Sequence, residues 1–504
     1  MVGDGQARDQ ATRADAVRAH LRAVHPAFWT VALAALIFTV VFGRLAVQNH
    51  HNFGTWAFDL SIYDQGTWLL SRGKSFVTVR GLDLWGHHIN LILVLFVPFY
   101  WFGAGPDFLL VVQAAALGAG AFPVYLLARD RMRNEWVGAV FAVVYLLYAP
   151  VEWVTSANFH PEALVVTPLL WAWWLGTRRR WTGTFVALAF ALATREDTAL
   201  AVIVLGAVLW WRLRGDPEAG SSDRRMALAV AGAGVAWYLV ATRLVIPWRN
   251  YGEEPFYVRG FYGHYGDGMF EVAGEVLTRP DRVVSDGTQP DRLRFYRDLL
   301  LPWGGLPLAG LVELLMAGPQ MLASVIGTSP YARMIRYQYT SVMLAPITIA
   351  AVEGAARLWR FRHVRQVLVP WLLVCAYVSH VAWSPSPISA NEAVWATPRE
   401  RHGAMRAALD LVPDDAAVTA TFALSPHIAH REQLYDWPNP WIPAYWGNDD
   451  ERRLPDPTEI EYLLVDRLHV GADHRPLFDS LIAPGGEYEV VFEADDVIVA
   501  QRVD

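Results

Sequence analysis

The chain has 504 residues, of which 54% are hydrophobic and 18% are charged. Since soluble domains carry about 25% charged residues, this composition excludes a typical soluble enzyme and predicts an α-helical polytopic membrane protein. The net charge of −7 is not accompanied by a sustained basic face, so nucleic acid is not an expected partner. Cys375 is the only cysteine, which excludes a disulfide framework and a cysteine-based metal site.

The first part of the chain sets the orientation in the membrane. Residues 1–25 are polar, carry four arginines and are predicted to form a cytoplasmic tail. The apolar segment 28–47 is long enough to anchor the chain in a bilayer. By the positive-inside rule this span runs from the cytoplasm outwards, so the loop 48–88 is expected outside.

The next apolar segment, 89–104, is short and is interrupted by Pro98. A fuller span at 107–128 ends in the basic cluster 129–133, which is expected to be cytoplasmic. If 89–104 also crossed the membrane, that cluster would lie outside. We therefore expect 89–104 to be a re-entrant or interface-lying segment that borders a cavity or packs on protein.

The remaining apolar segments continue the alternation. They lie at 136–150, 163–176, 182–194, 198–213, 226–247, 340–358 and 367–383, with an apolar hairpin in 299–330 broken around Gly318-Pro319. Residues 26–383 are thus expected to form the transmembrane domain, with a second long external loop at 248–298. The total is about eleven crossings of the plasma membrane, with the N-terminus inside and the C-terminus outside.

Residues 384–504 differ in character and begin with a linker marked by Pro385 and Pro387. A helix is expected at 401–411, and Ser425 is placed to cap a short helix that runs through His430. An apolar run follows at 417–422, and strands are expected at 460–465, 488–492 and 497–503. This pattern predicts a small extracytoplasmic α/β domain.

The predicted topology brings the unusual polar clusters to one side of the membrane. They are Asp59 and Asp64, His87 and His88, Asn158, His160 and Glu162, Arg195, Glu196 and Asp197, and Arg333, Arg336 and Tyr337. Ionisable groups near membrane depth are costly, so they are functional candidates by default. Their convergence predicts a single cavity on the outer face.

The clusters also have ordinary structural explanations. Asp59 and Asp64 would solvate one face of an interfacial helix. Pro161 suits the first turn of a helix, where the helix dipole favours an acid such as Glu162. That explanation does not account for His160, so a functional role stays open beside the structural one.

Several sequence runs resemble a bacterial membrane family known as domain of unknown function 2079. They are FDLSIYDQGTWLL, GHHINLILVLFVPFYW, NFHPEALVVTPLLW, ATREDTAL, FYRDLLLPWGGLPLAG, YQYTSVMLAP and SPHIAHREQLYDWPNPW, within residues 55–445. That family is similar to the GT-C glycosyltransferases, which implies a polyprenyl-phosphate-linked sugar donor and a first-loop acid. Asp59 matches that acid, with Asp64 about a turn further on. Leu60 stands where many GT-C enzymes have a second, adjacent acid.

The resemblance implies roles for the clustered residues. Asp59 is the expected base, with Asp64 as its rival, while Glu162 or His160 shares this work or holds a divalent ion. Mg or Mn would suit such oxygen ligands, although the sequence does not require a metal. The arginines at 195, 333 and 336 would neutralise the leaving phosphate. The other candidates would bind substrate, and they are His87, His88, Asn158, Glu196, Asp197 and Tyr337.

Two other classes of function remain open at this stage. The first is a transporter or flippase of a lipid-linked or small solute, and the second is a non-catalytic membrane scaffold. A transporter often shows internal repeats and broken helices in matched halves, and no clear repeat is visible here. The enzyme hypothesis therefore leads, with membrane lipids, a lipid-linked donor and a cell-envelope acceptor as expected partners.

Overall fold

Apolar segments become helices in this protein because a helix satisfies its own backbone hydrogen bonds inside a bilayer. The predicted cytoplasmic tail, 1–25, lies almost wholly outside the described residues. The computed structural model describes residues 24–156, 158–250, 256–391, 397–445 and 453–503.

Helices account for most of the chain up to residue 383. In chain order they are α1 (Pro26–His51), α2 (Ile62–Leu70), α3 (Leu84–His87), α4 (Val97–Tyr100), α5 (Pro106–Ala119), α6 (Ala121–Met132), α7 (Glu135–Leu146), α8 (Ala149–Ser156), α9 (Val166–Thr177), α10 (Trp181–Leu192), α11 (Thr198–Arg214), α12 (Ser221–Val240), α13 (Ile246–Arg249), α14 (Phe256–Tyr262), α15 (Met269–Thr278), α16 (Pro280–Gly287), α17 (Pro290–Leu300), α18 (Leu311–Leu314), α19 (Gly318–Ile326), α20 (Ser341–Trp359) and α21 (Arg362–Trp383). Two shorter turns matter for the site: a π-helix at Ala57–Ser61 and a 3₁₀ turn at Pro161–Val165.

Six helical stretches of the described chain are long and apolar enough to cross a membrane. They are Pro26–His51, Pro106–Met132, Ser221–Arg249, Leu306–Ile326, Gln338–Trp359 and Arg362–Trp383. The pair α7 and α8, bent by 48°, would make a seventh. The expected count of about eleven crossings also needs the shorter helices α9, α10, α11 and α17, and that count stays a prediction.

Instead of the apolar hairpin expected in 299–330 and broken around Gly318-Pro319, one helical stretch runs through Leu306–Ile326, and the arm beside it is the charged helix α17. The chain turns at Gly304 and Gly305, which both have left-handed backbone angles of +62° and +77°. Pro319 lies in the first turn of α19, where its missing N–H is not needed, so Leu306–Ile326 continues without interruption. The two arms run side by side, since the Arg292 Nε donates to the Val325 carbonyl oxygen at 3.4 Å.

The segment 248–298, expected as a loop, contains the four helices α14 to α17. Two of them begin with the same local signal, a proline in the first turn followed by an aspartate. Pro280 precedes Asp281 in α16, and Pro290 precedes Asp291 in α17. Both residue types favour helix starts, so this signal was present in the sequence.

The segment 89–104 forms a 3₁₀ turn and the short helix α4 instead of a span. Its two ends lie at the same end of the helical bundle. Near its start, the Asn90 side chain donates to the Thr194 carbonyl oxygen at 2.6 Å. Near its end, the Tyr100 hydroxyl donates to Asp64 at 2.6 Å. The expectation that this segment does not cross the membrane agrees with these contacts.

The C-terminal part is an α/β unit built on a five-stranded sheet. Its elements are α22 (Arg401–Leu409), β3 (Val418–Ala420), β4 (Leu434–Asp436), β5 (Tyr462–Asp466), α23 (Arg475–Leu481), β6 (Tyr488–Ala494) and β7 (Val497–Arg502), while β1 (Phe76–Val77) and β2 (Leu82–Asp83) form a separate hairpin in the first loop. The strand order is β4-β3-β5-β7-β6, with β3, β4 and β5 parallel and β7 antiparallel to both of its neighbours. Strand β4 was not expected, and the short helix expected to reach His430 ends at His427.

The α/β unit shares its hydrophobic core with the first loop. Leu424 and Ile428 of the unit are buried in one cluster with Ala57 and Leu60 of the loop. The backbone N–H of Ala57 also donates to the Phe422 carbonyl oxygen at 3.0 Å. The unit is therefore packed directly on the loop that carries Asp59.

An ion network joins four helices at the opposite end of the bundle. The Glu353 carboxylate, 4% exposed, pairs with Arg131 at 2.8 Å and with Arg212 at 3.0 Å. Arg212 also contacts Glu313 at 2.9 Å, and Arg357 contacts the same carboxylate at 2.7 Å. A buried charge requires such partners, because leaving it unpaired is strongly unfavourable.

We expect replacing Glu353 with Ala to lower the free energy of unfolding by about 3 kcal/mol, since it leaves two arginines facing each other without their shared carboxylate. Unfolding of the purified protein in detergent measures this change. Glu218→Ala is the matched control, because Glu218 also pairs with an arginine, Arg179, but the Glu218 side chain is 80% exposed. Equal unfolding of the two variants would contradict a stabilising network.

Candidate functional site

Asp59 lies in the π-helix Ala57–Ser61, immediately before α2. A π turn widens the helix by one residue per hydrogen bond, and such turns are frequent at functional sites. The Asp59 side chain is 24% exposed, whereas most of the surrounding first loop is buried. Asp59 is thus held by rigid backbone and still has access to solvent.

Asp59 contacts the second cluster predicted from the sequence. Its Oδ1 lies 3.1 Å from the His160 Nε2, and its Oδ2 accepts from the Asn158 Nδ2 at 3.1 Å. The Asn158 side-chain oxygen in turn accepts from the backbone N–H of Trp56 at 3.1 Å. The structure therefore brings Asp59, Asn158 and His160 together, although about 100 residues separate them in the chain.

The surroundings of His160 favour its charged form. Its Nδ1 lies 2.9 Å from the Asn158 carbonyl oxygen, and its Nε2 faces the Asp59 carboxylate. Both neighbours are acceptors, so both ring nitrogens are best satisfied when each carries a proton. Burial, the largest influence, lowers the pKa of His160, but the Asp59 charge and hydrogen bond together with Glu162 raise it above its ordinary value.

Gln113 fixes the loop that carries His160, and the sequence prediction missed it. Gln113 is fully buried in α5, where its side-chain N–H donates to the Val154 carbonyl oxygen at 2.9 Å. Its side-chain oxygen accepts from the backbone N–H of His160 at 2.8 Å. The available signal was an uncharged polar residue inside an otherwise apolar span, which is costly unless it has partners.

Arg195 joins Glu162 to Asp197. The Arg195 Nη1 donates to the Glu162 Oε1 at 2.9 Å, and its Nε donates to the Asp197 Oδ1 at 2.7 Å, with a second contact from Nη2 to the same carboxylate. Burial alone would lower the pKa of Arg195, but the charges of Asp197 and Glu162 hold it well above its ordinary value. Arg195 is therefore a permanent cation between two acids.

Glu196 links the segment 89–104 to the same region. Its Oε1 lies 2.7 Å from the His88 Nδ1, and its Oε2 accepts from the backbone N–H of Ile89 at 3.0 Å. Burial raises the pKa of Glu196, but His88 and the other donors together lower it below its ordinary value. His87 packs edge-on against His88, and burial holds the pKa of His87 well below its usual range.

Tyr63 shows that the Asp59 and Glu162 groups form one site. Its ring lies 5.8 Å from the His160 ring, edge to face. Burial, followed by the charges of Glu162 and Asp59, holds the pKa of Tyr63 well above its ordinary value. Tyr339 lies within electrostatic reach of the same two carboxylates. Neither tyrosine was among the site residues predicted from the sequence, although Tyr63 is the i+4 neighbour of Asp59, because aromatic residues are common in this chain.

Asp64, the predicted rival of Asp59, has a different set of partners. Its Oδ1 accepts from the Tyr100 hydroxyl at 2.6 Å and lies 3.1 Å from the Nε2 of His430, in the α/β unit. Asp64 is 1% exposed, and its Oδ2 is buried without a hydrogen-bond partner. These contacts favour a structural role for Asp64, at the junction of three parts of the chain.

Of the three candidates at 333–337, Arg333 has structural partners and Arg336 is exposed. Arg333 is paired with Asp291 at 2.7 Å and donates to the Gly327 carbonyl oxygen at 2.6 Å. Its charge therefore stabilises the packing of these two segments. Arg336 is exposed, and its guanidinium lies 4.9 Å from the Trp153 ring centroid. Burial, followed by the charges of nearby groups, raises the pKa of Tyr337 above its ordinary value.

The described residues do not bring three or more His, Cys, Asp or Glu side chains together in a geometry that would hold a metal ion. Glu162 nonetheless leaves one carboxylate oxygen buried without a hydrogen-bond partner beside Arg195. One orphaned oxygen is a poor match for Mg, which demands near-octahedral oxygen coordination. The site chemistry below is therefore derived from the side chains alone.

The Asp59–His160 pair predicts a pH-dependent stability. Because the pKa of His160 is raised on folding, its stabilising effect is complete below about pH 6.5 and fades as the pH rises through the folded value. We expect His160→Gln to lower the melting temperature most at pH 6 and progressively less towards pH 9. His51→Gln is the control, because the His51–Asp107 pair is largely exposed and should contribute little at any pH. A deficit in His160→Gln that is constant with pH would rule out the charged pair.

The fold is shared with a protein of known structure. ArnT from Cupriavidus metallidurans superposes in its apo state with a TM-score of 0.58 and 14% identity, over 95% of this chain and 99% of ArnT. The structure of ArnT bound to undecaprenyl phosphate gives a TM-score of 0.54 and 12% identity, over 94% and 98% of the two chains. This likeness confirms the GT-C-like fold that the sequence resemblance implies.

The sequence itself matches one named protein over a short stretch and one family model over most of its length. A Mycobacterium leprae protein named dihydropteroate synthase is 37% identical over 100 residues, which are 20% of this chain and 31% of that protein. The chain thus spans less than a third of the length of that relative. Residues 49–499 match the model of a family described as "Predicted membrane protein (DUF2079)". Since that match runs from the end of α1 into the last strand, the chain belongs to the DUF2079 family of membrane proteins.

Proposed function

We propose that the protein is an integral-membrane glycosyltransferase of the GT-C type. It transfers a sugar from a polyprenyl-phosphate-linked donor to a cell-envelope acceptor, on the outer face of the plasma membrane. The observation that carries this proposal is the partly exposed Asp59, held by His160 and Asn158 within a fold like that of ArnT. ArnT from Cupriavidus metallidurans has been crystallised with undecaprenyl phosphate bound.

Glycosyl transfer needs a group that takes the proton of the attacking hydroxyl. The acceptor oxygen forms a bond to the anomeric carbon while the bond from that carbon to the phosphate oxygen breaks. Asp59 is suited to accept the proton, because its carboxylate is fixed by two side chains and is still partly exposed. His160 and Asn158 together hold the Asp59 carboxylate in a fixed position for the incoming acceptor.

The leaving phosphate needs a cation that is not already neutralised. Arg195 faces two carboxylates, and Arg333 is bound to Asp291, so both have their charge largely balanced by protein. Arg336 is exposed, with its guanidinium 4.9 Å from the Trp153 ring centroid, and it directly precedes Tyr337. Arg336 is therefore the best-placed ligand for the phosphate, where guanidinium geometry suits two oxygen contacts.

The donor's lipid tail requires an apolar surface next to the site. Segment 89–104, which contacts Glu196 and Asp64 of the site region, keeps many large apolar side chains exposed. They are Leu91, Val94, Leu95, Phe99, Trp101 and Phe102. Exposed apolar surface of this extent is unfavourable in water and favourable in a bilayer, so this segment supports the proposed partnership with membrane lipids.

The expected consequence of removing the base is a loss of sugar transfer by at least about 100-fold in Asp59→Asn, because general-base catalysis typically contributes that much. The measurement is incorporation of a radiolabelled sugar into the envelope of cells that carry only the variant gene, with protein levels checked. Asp107→Asn is the matched control, since Asp107 pairs with His51 at the same end of the bundle. Transfer at the wild-type level in Asp59→Asn would remove Asp59 from the mechanism.

If Arg336 binds the phosphate, substitutions of the two arginines of segment 333–336 should have different effects. We expect Arg336→Ala to weaken binding of undecaprenyl phosphate by about tenfold, the usual scale for one charged hydrogen bond. Arg333→Ala should instead lower the melting temperature, because it removes one of the two arginine partners of Asp291 and the donor to the Ser324 and Gly327 carbonyl oxygens. Native mass spectrometry of the purified protein with added undecaprenyl phosphate measures binding. Unchanged binding in Arg336→Ala would contradict the assignment.

A further inference from the structure

Three aromatic side chains meet beside Asp59, and they come from opposite ends of the chain. Trp56 and Phe58 belong to the first loop, and Phe422 follows β3 of the α/β unit. The Trp56 and Phe422 rings are stacked with centroids 5.7 Å apart, while Phe58 meets Phe422 edge to face at 6.0 Å. We call Trp56, Phe58 and Phe422 the aromatic platform.

The platform stays partly open although its backbone is tightly held. Trp56 is 39% exposed, and Phe58 and Phe422 are only half-buried. The Trp56 backbone N–H donates to Asn158, and its carbonyl oxygen accepts from the backbone N–H of Asp59 at 3.3 Å. An indole that is fixed in place and left exposed presents a rigid apolar face at little further cost in conformational entropy.

The platform is coupled to the proposed base through a short path. Asn158 accepts from the Trp56 backbone with its oxygen and donates to Asp59 with its nitrogen. Trp56 is the extended residue that immediately precedes the π-helix of Asp59, and Phe58 is the neighbour of Asp59 within that helix. The platform and the carboxylate are thus carried by one short segment of backbone.

We propose that the aromatic platform binds a sugar ring of the acceptor, so that the acceptor is a glycan. This inference rests on the proposed function, because a base must lie within hydrogen-bonding distance of the hydroxyl that it deprotonates. A sugar ring presents C–H groups on its faces and hydroxyls at its edge, which matches an aromatic face beside a carboxylate. A lipid tail matches poorly, because it would remove water from Asp59 without replacing its hydrogen bonds.

The origin of Phe422 gives the α/β unit a direct part in acceptor binding. The Phe422 carbonyl oxygen accepts from the Ala57 N–H in the π-helix of Asp59, and the surrounding residues share one buried core. Both halves of the platform are therefore fixed relative to each other. Acceptor selection then depends on residues of the first loop and on Phe422 of the α/β unit.

Saturation-transfer difference NMR on the full-length protein in lipid nanodiscs tests the inference. The probes are the methyl glycosides of glucose, galactose, mannose and arabinose, with undecaprenyl phosphate binding measured in parallel. We expect Trp56→Ala and Phe422→Ala to weaken binding of at least one glycoside about tenfold, and Trp56→Phe to retain most of it. Trp248→Ala is the matched control, since Trp248 is an exposed tryptophan that stacks on Arg249 at the same end of the bundle.

Several results would overturn the inference. One is a wild-type protein that binds none of the four glycosides, and another is equal binding by Trp56→Ala and Trp248→Ala. A loss of undecaprenyl phosphate binding in Trp56→Ala, with glycoside binding intact, would assign the platform to the donor lipid instead. If wild type binds glycosides through Trp56 but neither binds undecaprenyl phosphate nor transfers sugar, the proposed function fails while the sugar site stands. If Phe422→Ala does not fold, the comparison of Trp56→Ala with Trp56→Phe still tests the inference.

Discussion

The contact between Asp59 and His160 is the interaction on which the rest of the site depends. It joins the first loop to the turn between α8 and α9, and each partner is held by further hydrogen bonds from Asn158 and Gln113. Because Gln113 lies in α5, the helical bundle itself fixes the distance between the two charges. The packing of the apolar helices therefore determines the position of the Asp59 carboxylate.

The second constraint is the core shared by the first loop and the α/β unit. A loop of this length outside a bundle would be free to move unless its apolar residues were covered. Leu424 and Ile428 cover Leu60 and Ala57, and His430 reaches Asp64 across 366 residues of sequence. The unit is thus part of the wall of the proposed cavity, and this explains how a residue such as Phe422 comes to lie beside the proposed base.

Sequence reasoning identified the membrane class, the resemblance to the family and the convergence of Asp59 and His160 on one region, because hydropathy and charge alternation restrict the topology strongly. That segment 89–104 does not cross the membrane stays a prediction. It failed where the answer depended on tertiary partners. Arg333 looked available because its partner Asp291 lies in a segment expected to be a loop, and Asp64 looked equivalent to Asp59 because Tyr100 and His430 are remote in sequence. The hairpin turn was placed at Gly318-Pro319 because Pro319 was interpreted as a break rather than as the start of a helix.

If the protein is a polyprenyl-phosphate-dependent transferase, Asp59 borders the site of the lipid phosphate. The most direct measurement is an experimental structure of the protein in nanodiscs with added undecaprenyl phosphate. We expect density for the phosphate between Asp59 and Arg336, with the lipid tail running along segment 89–104. Density for the lipid only at the opposite end of the bundle, beside Arg131 and Glu353, would contradict it.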